Sequence, residues 1–331
     1  MMKNITCLAF ESTAHTFGCG IINSKGTILA DVRRQVTTEE GGLIPNKVAS
    51  HHEQVKEEVF KQALLDAKLT MNDIDILAIS QGPGLPPSLH VGMRFAQGLA
   101  KQHDKPLIGV NHIAGHLEIG RLLTGAKDPV FLFVSGANTQ IIHRDGKQFY
   151  VVGETLDTAL GNMLDKFGRI VGIGFPGGPK IEQLAKQGKW IDLPYTVKGM
   201  DVSFSGVLTK AQHLYKQGVK VEDLCYSLQE ACFAMLIEVT ERALAFCDKN
   251  EVLLIGGVAA NQRFSQMLDM MCKARNAKAN AVQLKYAADN PVMIGWTGIL
   301  QYQHSKSLPA AEKIEINPIW RIEQVEAAWP V

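Results

Sequence analysis

The sequence predicts an α/β protein made of two lobes of one plan, and three observations carry this. Residues 5–31 and 130–153 each read as three short strands with a polar turn; amphipathic helical sequence follows each; and each half then runs a buried strand into a glycine junction.

In the first half the strands fall at residues 5–10, 17–22 and 27–32, with Asn23-Ser24-Lys25-Gly26 turning the last two into a hairpin. In the second they fall at 130–134, 140–143 and 148–152, turned by Arg144-Asp145-Gly146-Lys147. A short polar loop separates the first two strands of each half, Glu11-Ser12-Thr13-Ala14-His15-Thr16 and Ser135-Gly136-Ala137-Asn138-Thr139. Such loops offer backbone N–H groups and hydroxyls to phosphate oxygens. Helical sequence follows at about 51–68 and 222–247, and then the buried strands at 74–80 and 252–255. These run into Gln81-Gly82-Pro83-Gly84 and into Gly256-Gly257-Val258-Ala259-Ala260-Asn261.

A strand, glycines and a helix let the backbone approach a nucleotide closely, although one such junction alone is equally explained by the sterics of a tight turn. Two junctions and two loops in the same order point to a duplicated fold closing on a nucleotide between its lobes. That is the plan of actin and the sugar kinases. The expected organisation is an N-terminal lobe over 1–128, a C-terminal lobe over 129–303, and a segment 304–331 packing back on the N-terminal lobe.

With 331 residues, 46% hydrophobic and 20% charged, the chain is long enough for two cores. A formal charge of +1 supplies no bulk attraction to nucleic acid, so any RNA binding must come from a local patch or a partner. Six scattered cysteines with no Cys-x-x-Cys pair argue against a disulfide framework or a thiolate zinc site. The chain opens on strand-like sequence without a basic-then-apolar leader, and no apolar run is long enough to span a bilayer, so a cytoplasmic protein with no membrane contact is expected.

The chemistry concentrates at Asn111-His112-Ile113-Ala114-Gly115-His116. Two histidines four apart stack on one helical face, where a single cation could take both. They follow a buried strand, Pro106-Leu107-Ile108-Gly109-Val110, and so sit beyond its carboxyl end, where open α/β sheets place ligands. A third ligand has to come from elsewhere in the chain. Asp289 stands just before a helix-like segment at 292–303, as a helix cap, a ligand, or both. Residues 155–205, rich in glycine and polar side chains, read as a long functional loop whose Asp157, Asp165 and Glu182 are available to ribose hydroxyls or a polar substrate.

Six ordered motifs together resemble one family: Phe10-Glu11-Ser12-Thr13-Ala14-His15-Thr16, Gln81-Gly82-Pro83-Gly84-Leu85, Asn111-His112-Ile113-Ala114-Gly115-His116, Val134-Ser135-Gly136, Ser203-Phe204-Ser205-Gly206 and Gly256-Gly257-Val258-Ala259-Ala260-Asn261. They are similar to those of the tRNA N6-adenosine threonylcarbamoyltransferases, once described as O-sialoglycoprotein endopeptidases, in the archaeal and eukaryotic KEOPS branch. The resemblance covers about residues 5–322. It implies an actin-like ATPase (ASKHA) fold and transfer of a threonylcarbamoyl group from threonylcarbamoyl-adenylate to the exocyclic amine of the adenosine beside the anticodon in tRNAs reading ANN codons, releasing AMP. By position it makes His112, His116 and Asp289 the ligands of one divalent metal, iron in this family, with zinc or magnesium as alternatives. It sets the adenine nucleotide or adenylate against Phe133, Val134, Ser135, Gly136, Ala137, Asp165, Gly178, Glu182 and Asn261. The implied partners are tRNA, a kinase-like ATPase subunit, a dimerising subunit and a tRNA-recruiting subunit.

Two positions depart from the family pattern. KEOPS members usually carry a metal-binding tyrosine where this chain has Phe133, and a second glycine where it has Ala137. Phenylalanine has no donor atom, so three protein ligands and open positions are expected, which suits a Lewis-acid role.

The transfer itself asks for positioning and charge stabilisation, because the mixed anhydride is already activated and the adenosine amine is a poor nucleophile. No general base is evident, and Glu11 is the carboxylate to test first. A zincin-type peptidase needs glutamate directly after the first histidine, where this chain has Ile113. A kinase or ATPase of this fold generally carries aspartate in the first loop, where this chain has Glu11, with Ser135 opening the second. A non-catalytic complex subunit is the remaining alternative.

Overall fold

The computed structural model describes residues 4–36 and 44–331. They divide into two compact units, one holding residues 1–122, 146–149 and 289–331 and the other 123–145 and 150–288.

The first unit opens with an antiparallel meander of β1 (Thr6–Glu11), β2 (Thr16–Asn23) and β3 (Ile28–Gln35). Next come α1 (Pro45–Ala67), β4 (Ile76–Gly82), α2 (Pro86–His103), β5 (Leu107–Asn111) and α3 (His112–Thr124). The sheet order is β3-β2-β1-β4-β5, with β4 parallel to both β1 and β5. Because helices cover both faces, β1 and β4 are continuous apolar runs and not alternating ones. Leu8, Phe10, Leu77 and Ile79 join Phe17, Phe60 and Met93 in one core.

The second unit repeats the plan. Its meander is β6 (Val130–Val134), β7 (Thr139–Asp145) and β8 (Gln148–Glu154). After it come α4 (Leu160–Ile170), α5 (Gly177–Ala185), the short pair β9 (Val197–Lys198) and β10 (Asp201–Val202), α6 (Ser205–Lys216) and α7 (Val221–Phe246). Last are β11 (Glu251–Ile255), α8 (Gln262–Ala274), β12 (Lys278–Ala281) and α9 (Leu284–Ala287). The order β12-β11-β6-β7-β8, with β11 parallel to β6 and β12, mirrors the first sheet strand for strand. Leu132, Val134, Phe167, Phe233, Leu254 and Phe264 lie in its core.

The chain then returns to the first unit through α10 (Pro291–His304), which packs on the face of the first sheet opposite α1 and α2. This differs from the expected boundaries, which left the helix in the C-terminal lobe. Small residues draw it in: a Cβ on Gly18 or Gly20 of β2 would come within 2.9 Å of the Pro291 ring, and one on Gly298 within 2.7 Å of Ala78. Residues beyond α10 run beside the glycine junction after β4, where Asn317 N–H donates to the Gln81 carbonyl (2.8 Å) and Gly84 N–H to that of Pro318 (3.2 Å).

The stretch 155–205, expected as a loop, contains α4 and α5. Leu160, Met163, Leu164 and Phe167 form a buried helical stripe that the glycines within and after it, Gly161 and Gly168, hid from the sequence reading. All six cysteines are free, and five are buried. Among the described residues, no helix is long and apolar enough to cross a membrane.

Candidate metal centre and nucleotide-facing loops

Asn111 ends β5 and caps α3, its side-chain oxygen accepting from Ala114 N–H at 3.0 Å while its amide donates to the Trp320 carbonyl at 3.1 Å. The cap fixes where the helix starts. His112 and His116 therefore occupy successive turns of one face, their rings 4.8 Å apart and nearly perpendicular at 84°.

Asn290, not Asp289, caps α10, accepting from Met293 N–H at 2.9 Å. This leaves the Asp289 carboxylate to the histidines. Its Oδ1 lies 3.3 Å from His116 Nε2 and 3.5 Å from His112 Nε2. One ligand atom from each of His112, His116 and Asp289 falls within 4.8 Å of the other two, the geometry of a mononuclear centre. The donor set fits the expected ion, because two imidazoles and one carboxylate suit iron(II) or zinc better than magnesium, which prefers oxygen ligands throughout. Both histidines are buried, and Asp289 is half-buried.

The electrostatics agree. Burial opposes a charge on His112, but the carboxylates of Glu11 and Asp289 outweigh it and push its pKa up to about 10. Burial lowers that of His116. Asp289 is held well below the usual carboxylate range against its burial, chiefly by His112. Negative charge gathered around imidazole nitrogens favours a positive charge there, whether a proton on the ring or a bound cation.

Three side chains that the sequence reading did not single out complete the surroundings. His15 Nδ1 lies 3.7 Å from Asp289 Oδ2, and Arg33, paired to Asp31 at 2.6 Å, donates to the Asp289 carbonyl at 3.2 Å. Thr13 donates its N–H to Glu11 Oε1 at 2.7 Å. Thr13 and His15 stand inside the quoted loop motif, which was the available signal. Glu11 is wholly buried, at 0% exposure, with its carboxylate against the ring of His112.

In the second unit, of the residues expected from the resemblance, Ser135, Gly136 and Ala137 follow the carboxyl end of β6 and Asn261 lies beyond that of the parallel strand β11, while Asp165 sits on α4 and Gly178 and Glu182 on α5. Ser135 and Asn138 close the loop after β6, and the Ser135 and Gly136 carbonyls accept from Gly161 and Asn162 N–H at the start of α4 (3.2 and 3.1 Å). Gly136 and Ala137 remain exposed at the tip. Phe133 is wholly buried in the sheet. Gly256, at φ 100°, must be glycine, since a Cβ there would sit 2.2 Å from the Val134 carbonyl. Asp165 accepts from Gly177 N–H at 2.8 Å and has a pKa raised by burial. Glu182 accepts from Gln262 N–H at 2.8 Å, beside Asn261, which caps α8 and donates to Gln229. The loop thus touches the start of α4, Asp165 further along α4 touches the start of α5, and Glu182 on α5 touches Gln262 beside Asn261. Asp157 stands apart from these contacts as the capping carboxylate of α6, accepting from Ser203 Oγ at 2.6 Å and from Phe204 and Ser205 N–H at 3.0 Å each.

Residues 27–296 match the family model described as tRNA N6-adenosine threonylcarbamoyltransferase. The chain belongs to that family. It is 48% identical over 323 residues to the Archaeoglobus fulgidus tRNA N6-adenosine threonylcarbamoyltransferase, covering 97% of this chain and 99% of the relative. It is also 48% identical over 324 residues to a Methanosphaera stadtmanae protein called a probable bifunctional tRNA threonylcarbamoyladenosine biosynthesis protein. There the match takes 98% of this chain but only 60% of the relative's length. Among solved structures, full-length HypF in a phosphate- and nucleotide-bound form superposes with a TM-score of 0.60 at 10% identity, over 92% of this chain and 56% of that one. The likeness is one of fold alone, and it agrees with the duplicated actin-like ATPase plan that the paired sheets display.

Proposed function

We propose that this family member transfers a threonylcarbamoyl group from threonylcarbamoyl-adenylate to the exocyclic amine of adenosine 37 in tRNAs reading ANN codons, releasing AMP. The observation that carries the reading is the convergence of His112, His116 and Asp289 from two distant parts of the chain onto one ion-sized space. These residues would hold a divalent metal: the donor set suits iron(II) or zinc, and the family resemblance favours iron. When bound, the ion supplies Lewis-acid stabilisation of charge developing on substrate oxygens.

The chain's own groups do the rest. Gly136 and Ala137 are exposed at the tip of the loop, and their backbone N–H groups suit the phosphate of the adenylate. Asp165, Glu182 and Asn261 offer acceptors and an amide to the nucleoside, with Gly178 leaving room for it: a Cβ there would have nothing nearer than 3.9 Å. A peptidase reading lacks its base, since Ile113 after the first histidine is apolar and only 4% exposed.

Partners follow from chemistry and from the relatives. A formal charge of +1 calls for help in recruiting a polyanionic tRNA. The bifunctional relatives extend far beyond the matched region, which supports a companion activity working beside this one. We assign KEOPS-type subunits to that role: a kinase-like ATPase, a dimerising subunit and a tRNA-recruiting subunit.

The test is transfer of labelled threonylcarbamoyl from supplied adenylate to tRNA by the complete complex, comparing wild type with His112→Ala. The reading predicts a loss of at least about 100-fold, the scale on which removal of one preorganised electrostatic group acts. Undiminished transfer in His112→Ala would make the chain a scaffold.

A further inference from the structure

Glu11 was the first carboxylate to consider as a base, and its surroundings argue for another task. It is the last residue of β1 and wholly buried. One oxygen, Oε2, lies 3.0 Å from His112 Nδ1, while Oε1 takes the N–H of Thr13 at 2.7 Å together with its hydroxyl. The Thr13 hydroxyl also sits 3.2 Å from the same ring nitrogen. Both oxygens of the carboxylate are therefore engaged on the inner side of the imidazole.

The two nitrogens of His112 face in different directions. Nδ1 is turned to Glu11 and Thr13, and Nε2 to Asp289 at 3.5 Å, on the side where His116 Nε2 also points at Asp289. A base must reach the proton it removes, and a carboxylate behind the ring does not reach substrate on its far side. An acceptor on Nδ1 keeps a proton there, so that a cation displaces the proton of Nε2 and takes that lone pair, and it fixes the ring's rotation and makes the lone pair more basic.

We propose that Glu11, held by Thr13, is the positioning carboxylate of the metal centre: it orients His112 through Nδ1 and strengthens Nε2 as a ligand. The inference rests on the metal reading above and adds a residue to it. It also accounts for a buried acid in a strand that is otherwise apolar, because a buried carboxylate needs this many donors to offset its lost hydration. The parallel order β1-β4-β5 makes the arrangement possible by placing the ends of β1 and β5 on the same edge of the sheet.

The test uses Co²⁺ added to the purified metal-free chain, with affinity read by competition against a chromophoric chelator and coordination read from the visible d–d bands. Wild type, Glu11→Gln, Glu11→Leu, Thr13→Val and His116→Ala are compared, and the thermal midpoint of each metal-free protein is recorded alongside. The proposal expects affinity to fall about 10–100-fold in Glu11→Gln, further in Glu11→Leu and less in Thr13→Val, with Glu11→Gln keeping a wild-type midpoint. Glu11→Gln binding Co²⁺ as tightly as wild type overturns it, and so does a Glu11→Gln protein that loses transfer at unchanged affinity, the signature of a base. Should Glu11→Gln not fold, Thr13→Val decides, and unchanged affinity there refutes the positioning role. Failure of wild type to bind Co²⁺, or His116→Ala binding it equally well, would instead strike the metal reading itself.

Discussion

His52 shows how a single buried residue makes stability depend on pH. It is wholly buried on α1, its ring 5.4 Å from that of Phe17. Burial, and then the neighbouring His51, lowers its pKa from 6.5 to about 4. The unfolded chain therefore binds a proton between those values that the folded chain refuses. Stability from this group is complete above about pH 6.5 and lost as pH falls towards 4, in total about 3 kcal/mol. Urea midpoints measured across that range should decline steeply for wild type and less steeply for His52→Leu. Parallel curves would remove His52 from the account. The same scale separates what was legible in the sequence from what was not. The interval between His112 and His116 is written in adjacent turns and needs no fold to be seen. The contact between Glu11 and His112 spans 101 positions and exists only because of strand order.

Elements deliver the proposed third ligand. Asp289 reaches the histidines because α10 lies close on β1 and β2 and because Asn290 takes the capping task. Gly20→Ala would place a methyl 2.9 Å from both Pro291 and Val292, so the start of α10 must shift. We expect about 1–3 kcal/mol of destabilisation with a weakened metal site, although no ligand is touched. Chemical denaturation and metal titration check the two parts. Asn290→Ala should cost about 1 kcal/mol through loss of the cap. An unaltered Gly20→Ala protein would mean that α10 tolerates displacement. Elements are also where the sequence misled. Gly161 and Gly177 made the 155–205 stretch look like a loop, yet each allows a close approach inside helical structure, where an added Cβ would sit 2.6 Å from the Ser135 or the Leu164 carbonyl oxygen. Contiguity likewise left α10 in the wrong lobe, since nothing local says that a helix crosses back.

At the scale of the whole molecule, duplication divides the labour. One unit carries the proposed ligands His112, His116 and Asp289, and the other carries the proposed nucleotide residues of loop 135–138 with Asp165, Glu182 and Asn261. The repeated order of hairpins and glycine junctions made the architecture readable before any coordinates, because period-two strands and glycine turns are local signals. Nucleotide binding should therefore be separable from metal binding. AMP is expected to raise the thermal midpoint of the metal-free protein, and Glu182→Ala with Asn261→Ala to shrink that rise without changing metal affinity. Equal stabilisation of the double variant would move the nucleotide elsewhere.

The most direct test is metal content and threonylcarbamoyl transfer measured together on anaerobically purified wild type and Asp289→Ala. The account predicts one bound iron per wild-type chain, with metal and transfer lost together in the variant. An Asp289→Ala protein that keeps its metal, or loses it and still modifies tRNA at the wild-type rate, would contradict it.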